Sequence, residues 1–202
     1  MCNQVKEMKM KDRPNFNELS KQIYKANKAK GFHDEEQSNE TLFMLVITEL
    51  AEAVEADRKG KRADYKKYQR YIDDSKKSFT DMNIAFEFCY KNTLEDELAD
   101  AVIRLFDLAG LRGDNEFLTY PEKDMEELFD LATRNNSDKT FSEIIYAVSS
   151  TIFTNKPTFV KIKQALISIE WLCYHLSIDL WYHVELKLKY NETRDYKHGK
   201  LY

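Results

Sequence analysis

Residues 44–60, MLVITELAEAVEADRKG, place two glutamates three residues apart inside a segment that otherwise has the composition of a helix core. On an α-helix, Glu49 and Glu52 share one side with Leu45 and Ala53, so both carboxylates are predicted to point inward. Buried carboxylates at this spacing repel each other and lose hydration. They must therefore be protonated, paired with cations or bound to a metal ion.

The same three-residue step occurs in residues 93–110, TLEDELADAVIRLFDLAG, at Glu97 and Asp100. Two such helices packed side by side would direct four carboxylates toward one point. A ligand set made only of carboxylate oxygens suits Mg²⁺ or Mn²⁺ far better than Zn²⁺. The spacing by itself also fits two ordinary amphipathic helices, and that alternative stays open at this point.

The distribution of glycine and proline predicts an all-α fold. The 202 residues include only five glycines and three prolines, and these fall between segments of helical periodicity, where helices begin or end. No low-complexity linker divides the chain, so we expect a single domain over residues 1–202. The predicted helices span about residues 15–30, 40–58, 61–90, 92–110, 121–134, 139–154, 157–176 and 178–192.

Charge and cysteine content narrow the expected partners and location. With 31 basic and 35 acidic residues, the net charge of −4 argues against duplex nucleic acid and against an anionic membrane surface. The longest apolar run, residues 42–47, is far shorter than the roughly 20 residues that span a bilayer. Three cysteines without a CxxC pair, and an N-terminus without an apolar signal region, predict reduced thiols and a cytoplasmic protein.

Four segments of the chain together carry a family resemblance: AKGFHDEE (29–36), LVITELAEAVEADRKG (45–60), EDELADAVIRLFDLAG (95–110) and LKLKYNETRDYKHGKLY (186–202). They resemble the MazG-like family of all-α nucleoside triphosphate pyrophosphohydrolases, which are relatives of the dimeric dUTPases. The resemblance covers roughly residues 20–60, 92–115 and 178–202. It implies a helical bundle of that type, which hydrolyses a nucleoside or deoxynucleoside triphosphate to the monophosphate and pyrophosphate.

The resemblance also implies roles for individual residues. In that family the ExxE and ExxD pairs are the metal motifs, which implies a catalytic Mg²⁺ site, with Mn²⁺ able to substitute, at Glu49, Glu52, Glu97 and Asp100. The closing Lys-x-x-x-Asn-x-x-Arg segment implies that the residues near the nucleotide phosphates are Lys187, Asn191 and Arg194.

Inserted segments distinguish this chain from the family pattern. Residues 14–112 carry both metal motifs, residues 113–177 are inserted, and residues 178–202 form the C-terminal helix and a basic tail. Within the insertion, residues 142–148 and 167–176 align with the two motif helices, matching Glu143 to Glu49 and Glu170 to Glu97. We therefore hypothesise an internally duplicated pseudo-dimer. A homodimer, or a chance similarity between amphipathic helices, is the alternative.

The main alternative function is a non-catalytic helical binding module with a decayed nucleotide site. Arg104, one turn after Asp100, is expected to form a structural ion pair, and His33 to lie in a loop near the site entrance. The sequence has no GxxxxGK[ST] or GxGxxG loop. A triphosphate would therefore have to be held by metal and side chains rather than by a glycine-rich cradle.

Overall fold

Nine α-helices and two short 3₁₀ segments, with no β-strand, make up the secondary structure of the described residues, which are 13–74, 79–119 and 122–199 of the computed structural model. The all-α fold expected from the sequence is confirmed. The helices are α1 (Phe16–Ala29), α2 (Asn39–Arg58), α3 (Tyr65–Asp74), α4 (Phe79–Cys89), α5 (Leu94–Arg112), α6 (Glu122–Asn136), α7 (Phe141–Ile152), α8 (Thr158–His175) and α9 (Leu180–Glu192). The 3₁₀ segments are Asn115–Phe117 and Tyr196–Gly199.

Side-chain caps fix where the central helices begin. The hydroxyl of Ser38 accepts a hydrogen bond from the backbone N–H of Thr41 at the start of α2, and Thr93 does the same for Asp96 in α5. Helix α5 ends at Gly113, whose φ of 72° is left-handed and therefore favours glycine. These caps fix where α2 and α5 begin and where α5 ends.

Helices α2 and α5 pack against each other at the centre of the fold. Helices α1, α8 and α9 pack on α5, and α7 packs on α2. Val46, Leu50 and Ala53 of α2 are fully buried in the same core as Leu98 and Ala101 of α5. Because α5 contacts helices on several sides, nearly its whole surface is buried, including acids in its first turn.

The structure corrects the single helix predicted for about residues 61–90. Two helices, α3 and α4, lie on either side of residues 75–78, which are outside the described part of the chain, and pack against each other. The Tyr68 and Tyr90 rings, 4.9 Å apart, lie in a small second core. Phe86 stacks on Tyr190 of α9 with ring centroids 4.3 Å apart, so this hairpin is docked on α9. Aromatic burial therefore favours two short helices over one long exposed helix.

The inserted segment supplies α6, α7 and α8. Helix α7 packs on α2, and α8 packs on α5. The pseudo-dimer hypothesis expects a second helix pair in such contact with the first. The two acids matched to metal-motif positions have structural partners. Glu143 forms a capping box with Thr140, and buried Glu170 accepts two hydrogen bonds from Arg13 at 2.6 and 2.8 Å. The duplication itself remains a hypothesis.

The structure bears on two sequence expectations, one about membrane-spanning helices and one about the cysteines. Among the described residues, none of the helices has both the length and the apolar character to cross a membrane. Cys89 is a free, buried thiol, Cys173 is also buried, and Cys2 lies outside the described residues. Burial raises the pKa of the Cys89 thiol, which lowers its reactive thiolate fraction.

Gly110 marks the closest approach of α5 to α1. A Cβ atom at this position would lie 2.6 Å from the Cβ of Tyr24 and 2.8 Å from the backbone oxygen of Ser20. In the same interface the hydroxyl of Ser20 donates to the backbone oxygen of Phe106 at 2.7 Å. Glycine at position 110 is therefore required by packing, although it lies inside a helix.

We expect Gly110→Ala to lower the free energy of unfolding by about 1–3 kcal/mol, because overpacking displaces α1 from α5. Helix propensity alone predicts the opposite sign, a gain of about 1 kcal/mol. Thermal and urea denaturation measure the difference. A more stable Gly110→Ala protein would show that α1 and α5 are not in this close contact.

Candidate metal centre and adjoining polar pocket

Three of the four predicted metal ligands come together between α2 and α5. Glu49, Glu52 and Glu97 each offer a carboxylate oxygen, and these oxygens all lie within 4.8 Å of one another; we call this group the carboxylate triad. Glu49 and Glu97 are 5% and 4% exposed. Glu52 is exposed, so the prediction that it points fully inward is corrected. The triad is therefore buried on one side and open to solvent on the other.

Asp100, the fourth predicted ligand, lies outside the triad. Its Oδ2 is 2.6 Å from the Nζ of Lys187, and the same Nζ donates to Oδ1 of Asp96 at 2.8 Å. Lys187 was expected near the nucleotide phosphates, but it is only 4% exposed and enclosed against α5. The structure therefore places Lys187 and Asp100 in one ion pair within the protein.

Arg104 pairs with Glu49, one of the two buried members of the triad. Its Nε donates to Oε1 of Glu49 at 2.5 Å, which is the structural ion pair expected from its position one turn after Asp100. Arg104 thus pairs with Glu49 of the triad, and Lys187 pairs with Asp96 and Asp100 beside it. The negative charges of Asp96 and Asp100 also act on Glu97.

Glu97 holds its proton at neutral pH in the metal-free protein. Burial, followed by the charges of Asp96 and Asp100, raises the pKa of Glu97 from 4.5 to about 8, although Lys187 acts in the opposite direction. A divalent cation in the triad has to displace this proton. Metal binding at this site is therefore expected to release a proton below about pH 8.

The Lys187 ion pairs keep the ammonium group charged in spite of its burial. Burial by itself would lower the pKa of Lys187, but Asp100 and Asp96 raise it above its ordinary value. Burial raises the pKa of Asp96, and the charge of Lys187 opposes that rise. Lys187 and Asp96 therefore favour each other's ionised forms.

The donor set of the triad fits a hard divalent cation. All three groups are carboxylates, and a Mg²⁺ ion typically takes a small number of carboxylates while keeping several water molecules. Mn²⁺ accepts the same oxygen ligands. The exposed side of the triad at Glu52 leaves room for water and for oxygens of a second ligand.

A polar pocket lies along α2 and α5 and is connected to the triad through Arg104, which lines the pocket and pairs with Glu49. Its lining includes Leu45 of α2, Asp100, Arg104 and Asp107 of α5, His33, and, from the C-terminal segment, Asn191 and Arg194. His33 forms part of the wall, since its Nε2 lies 2.9 Å from Oδ1 of Asp107 and its side chain is only 5% exposed. It is therefore more deeply placed than the entrance loop expected from the sequence.

Asn191 brings an unsatisfied polar atom to this pocket. Within the described residues, its Oδ1 is buried and has no hydrogen-bond partner. Buried polar atoms are rarely left without a partner in folded proteins, and the amide oxygen and nitrogen of asparagine exchange places by a simple flip. Asn191 can therefore offer either an acceptor or a donor to a ligand.

The segment after α9 is tied to the loop that carries His33. Lys30 Nζ donates to the backbone oxygens of Glu192, at 2.9 Å, and of Arg194. The Tyr196 hydroxyl donates to Asp34, and the backbone N–H of Lys197 donates to the oxygen of Lys30 at 2.9 Å. These contacts hold Arg194 beside the pocket.

Sequence reasoning missed the roles of Asp96 and Asp107. Asp96 lies in the first turn of α5, after the Thr93 cap. Acids are common there because the helix dipole stabilises a negative charge near the N-terminus. Its partner Lys187 is 91 residues away along the chain. The helical periodicity of α5 gave the only available signal, since it places both aspartates among apolar neighbours.

Comparison with known proteins finds no family model, no curated protein and no solved structure that matches this chain. The function is therefore argued from the triad, the polar pocket and the motifs that lie in them.

The raised pKa of Glu97 makes the stability of the metal-free protein fall as pH rises. Glu97 titrates near 4.5 when unfolded and near 8 when folded, so the folded state holds the extra proton between these values. We expect the melting temperature without metal to fall from pH 6 to pH 8.5. Because Mg²⁺ replaces the proton, it should raise the melting temperature more at pH 8.5 than at pH 6.

Thermal denaturation at both pH values, with and without Mg²⁺, measures this effect. Glu97→Gln removes the titrating group, so its Mg²⁺ effect should be small at both pH values. Glu126→Gln, an exposed glutamate of α6, is the matched control and should behave like the natural sequence. Equal stabilisation by Mg²⁺ at pH 6 and pH 8.5 in the natural sequence would contradict a protonated Glu97 ligand.

Proposed function

We propose that this protein is a Mg²⁺-dependent pyrophosphohydrolase that converts a nucleoside or deoxynucleoside triphosphate to the monophosphate and pyrophosphate. The observation that carries the proposal is the carboxylate triad, built from both motif helices and bordering a polar pocket. The resemblance of the motifs supplies the reaction class. The burial of Glu97 beside the negative charges of Asp96 and Asp100 supports a divalent cation at this place.

The triad would hold the metal ion, with Asp100 retained as a predicted fourth ligand. When bound, Mg²⁺ would offset phosphate charge and lower the pKa of the attacking water. Arg104 fixes the carboxylate of Glu49 by the ion pair at 2.5 Å. A ligand held in this way does not have to reorganise when the metal and substrate arrive, which favours catalysis.

Glu52 is the carboxylate best placed to accept the proton of the attacking water. It belongs to the triad and is also exposed, so it reaches both the metal site and solvent. Glu55 lies further along α2 and pairs with Lys59 at 2.8 Å and with Arg58 at 3.0 Å. These cations lower the pKa of Glu55, which makes it a weaker base.

Asn191 and Arg194 are the side chains that we assign to the phosphates. Both line the polar pocket next to Asp100. Arginine binds phosphate through paired donors, and the asparagine amide can donate to a phosphate oxygen. Lys187 is engaged by Asp96 and Asp100, so we assign it no phosphate contact in the metal-free protein.

The test is Mg²⁺-dependent release of pyrophosphate from a panel of canonical and modified nucleoside and deoxynucleoside triphosphates. We expect release from one or a few members, and a loss of about 100-fold or more in Glu49→Gln and Glu97→Gln. Each change removes an anionic ligand and keeps the size of the side chain. Glu126→Gln should retain the activity of the natural sequence.

Circular dichroism establishes that each variant is folded before its activity is compared. If no triphosphate of the panel releases pyrophosphate and calorimetry detects no Mg²⁺ binding, the proposal is contradicted and the non-catalytic binding module is favoured. Activity that survives in both folded variants would exclude the triad as the catalytic metal site.

Asn191→Leu should weaken substrate binding without weakening the fold. The buried Oδ1 has no described partner, so its removal forfeits no hydrogen bond at that atom. We expect KM for the triphosphate to rise about tenfold, the loss of roughly one hydrogen bond to substrate. Steady-state kinetics and thermal denaturation measure both quantities. An unchanged KM with a large fall in melting temperature would instead show that Asn191 is structural.

A further inference from the structure

Lys187 occupies a buried position between two acids of α5. Its Nζ lies 2.6 Å from Oδ2 of Asp100 and 2.8 Å from Oδ1 of Asp96. The side chains of Lys187 and Asp96 are 6% and 2% exposed, and that of Asp100 is 22% exposed. The centre of the Phe86 ring is 5.6 Å from the same Nζ. Two carboxylates and an aromatic face thus take the place of water around the ammonium group.

Asp100 lies between the ammonium group of Lys187 and the carboxylate triad, and the triad would attract its negative charge only with a metal ion bound. It follows Glu97 by three residues on α5, so the two side chains are neighbours on one surface of the helix. Rotation about the Cα–Cβ bond directs an aspartate carboxylate to one neighbour or another. In this structure the carboxylate contacts Lys187 and is not part of the triad.

We propose that Lys187 is a positioning residue that withholds Asp100 from the metal ion until substrate binds. A metal that recruits Asp100 must first break an ion pair that is largely enclosed by protein, where an unpaired charge is costly. Free Mg²⁺ therefore has only the three carboxylates of the triad. This inference rests on the proposed metal site, but it does not depend on which triphosphate is the substrate.

Withholding Asp100 makes tight metal binding conditional on the triphosphate. The phosphates bring their own oxygen ligands, which add to the three carboxylates of the triad. Metal and triphosphate then bind more tightly together than either does alone, and the coupling is reciprocal. The substrate-free protein would thus bind Mg²⁺ more weakly than the protein with bound triphosphate does.

A lysine with only a structural role leads to a different result. It would anchor α9 to α5 through Asp96 and Asp100, and its removal would destabilise the fold. Metal affinity would then be unchanged or weaker, since nothing would be released for the metal to use. The affinity of the substrate-free protein for metal therefore distinguishes the two roles.

The experiment measures Mn²⁺ binding by paramagnetic resonance, and Mg²⁺ binding by calorimetry, without nucleotide. We expect Lys187→Met to bind either ion about tenfold more tightly than the natural sequence, or better. Lys187→Arg keeps the charge and should stay within about threefold of the natural sequence. Asp100→Asn should cancel the gain in the Lys187→Met protein and have little effect alone.

A second variant keeps the test decisive if Lys187→Met does not fold. The double variant Lys187→Met, Asp96→Asn removes the lysine together with the carboxylate of Asp96 and keeps the carboxylate of Asp100. It should show the same gain in metal affinity. Circular dichroism monitors folding. If the natural sequence binds metal and a folded variant binds it equally or more weakly, the inference about Lys187 is overturned but the metal site is not. No metal binding in any protein would overturn the metal site as well.

Discussion

The burial of Glu49 and Glu97 between α2 and α5 is the constraint on which the rest of the structure depends. An ionised carboxylate in such a place requires a cation or strong hydrogen bonds. Glu49 has the guanidinium of Arg104, whereas Glu97 keeps its proton. Because these two helices also form the middle of the core, they cannot separate to hydrate the acids without loss of the apolar contacts around them.

The compensation for this charge comes partly from the other end of the chain. Helix α9 carries Lys187 to Asp96 and Asp100, and its last residues place Asn191 at the wall of the polar pocket. Lys30 then holds the segment that contains Arg194. The contacts that neutralise α5 therefore also assemble the pocket, so that stability and the proposed chemistry share the same side chains.

Helical periodicity was sufficient to predict the all-α fold and the convergence of Glu49 with Glu97. Residues three or four apart lie on one helix face, so the apolar pattern of α2 and α5 fixed which acids turn toward the core. It did not give the solvent exposure of Glu52, which depends on how neighbouring helices end around the site. The break between α3 and α4 was missed because it depends on tyrosine packing against α9.

The sequence by itself determined the all-α class, the burial of Glu49 and Glu97, and the chemical type of the candidate site. These follow from local spacing, which a chain carries in its order of residues. Only the tertiary structure decided that Asp100 pairs with Lys187, that His33 meets Asp107, and that Asn191 has a buried amide oxygen without a described partner. Each of these depends on the distance between side chains far apart in the sequence. Such distances are set by the packing of whole helices and not by the spacing of residues within one helix.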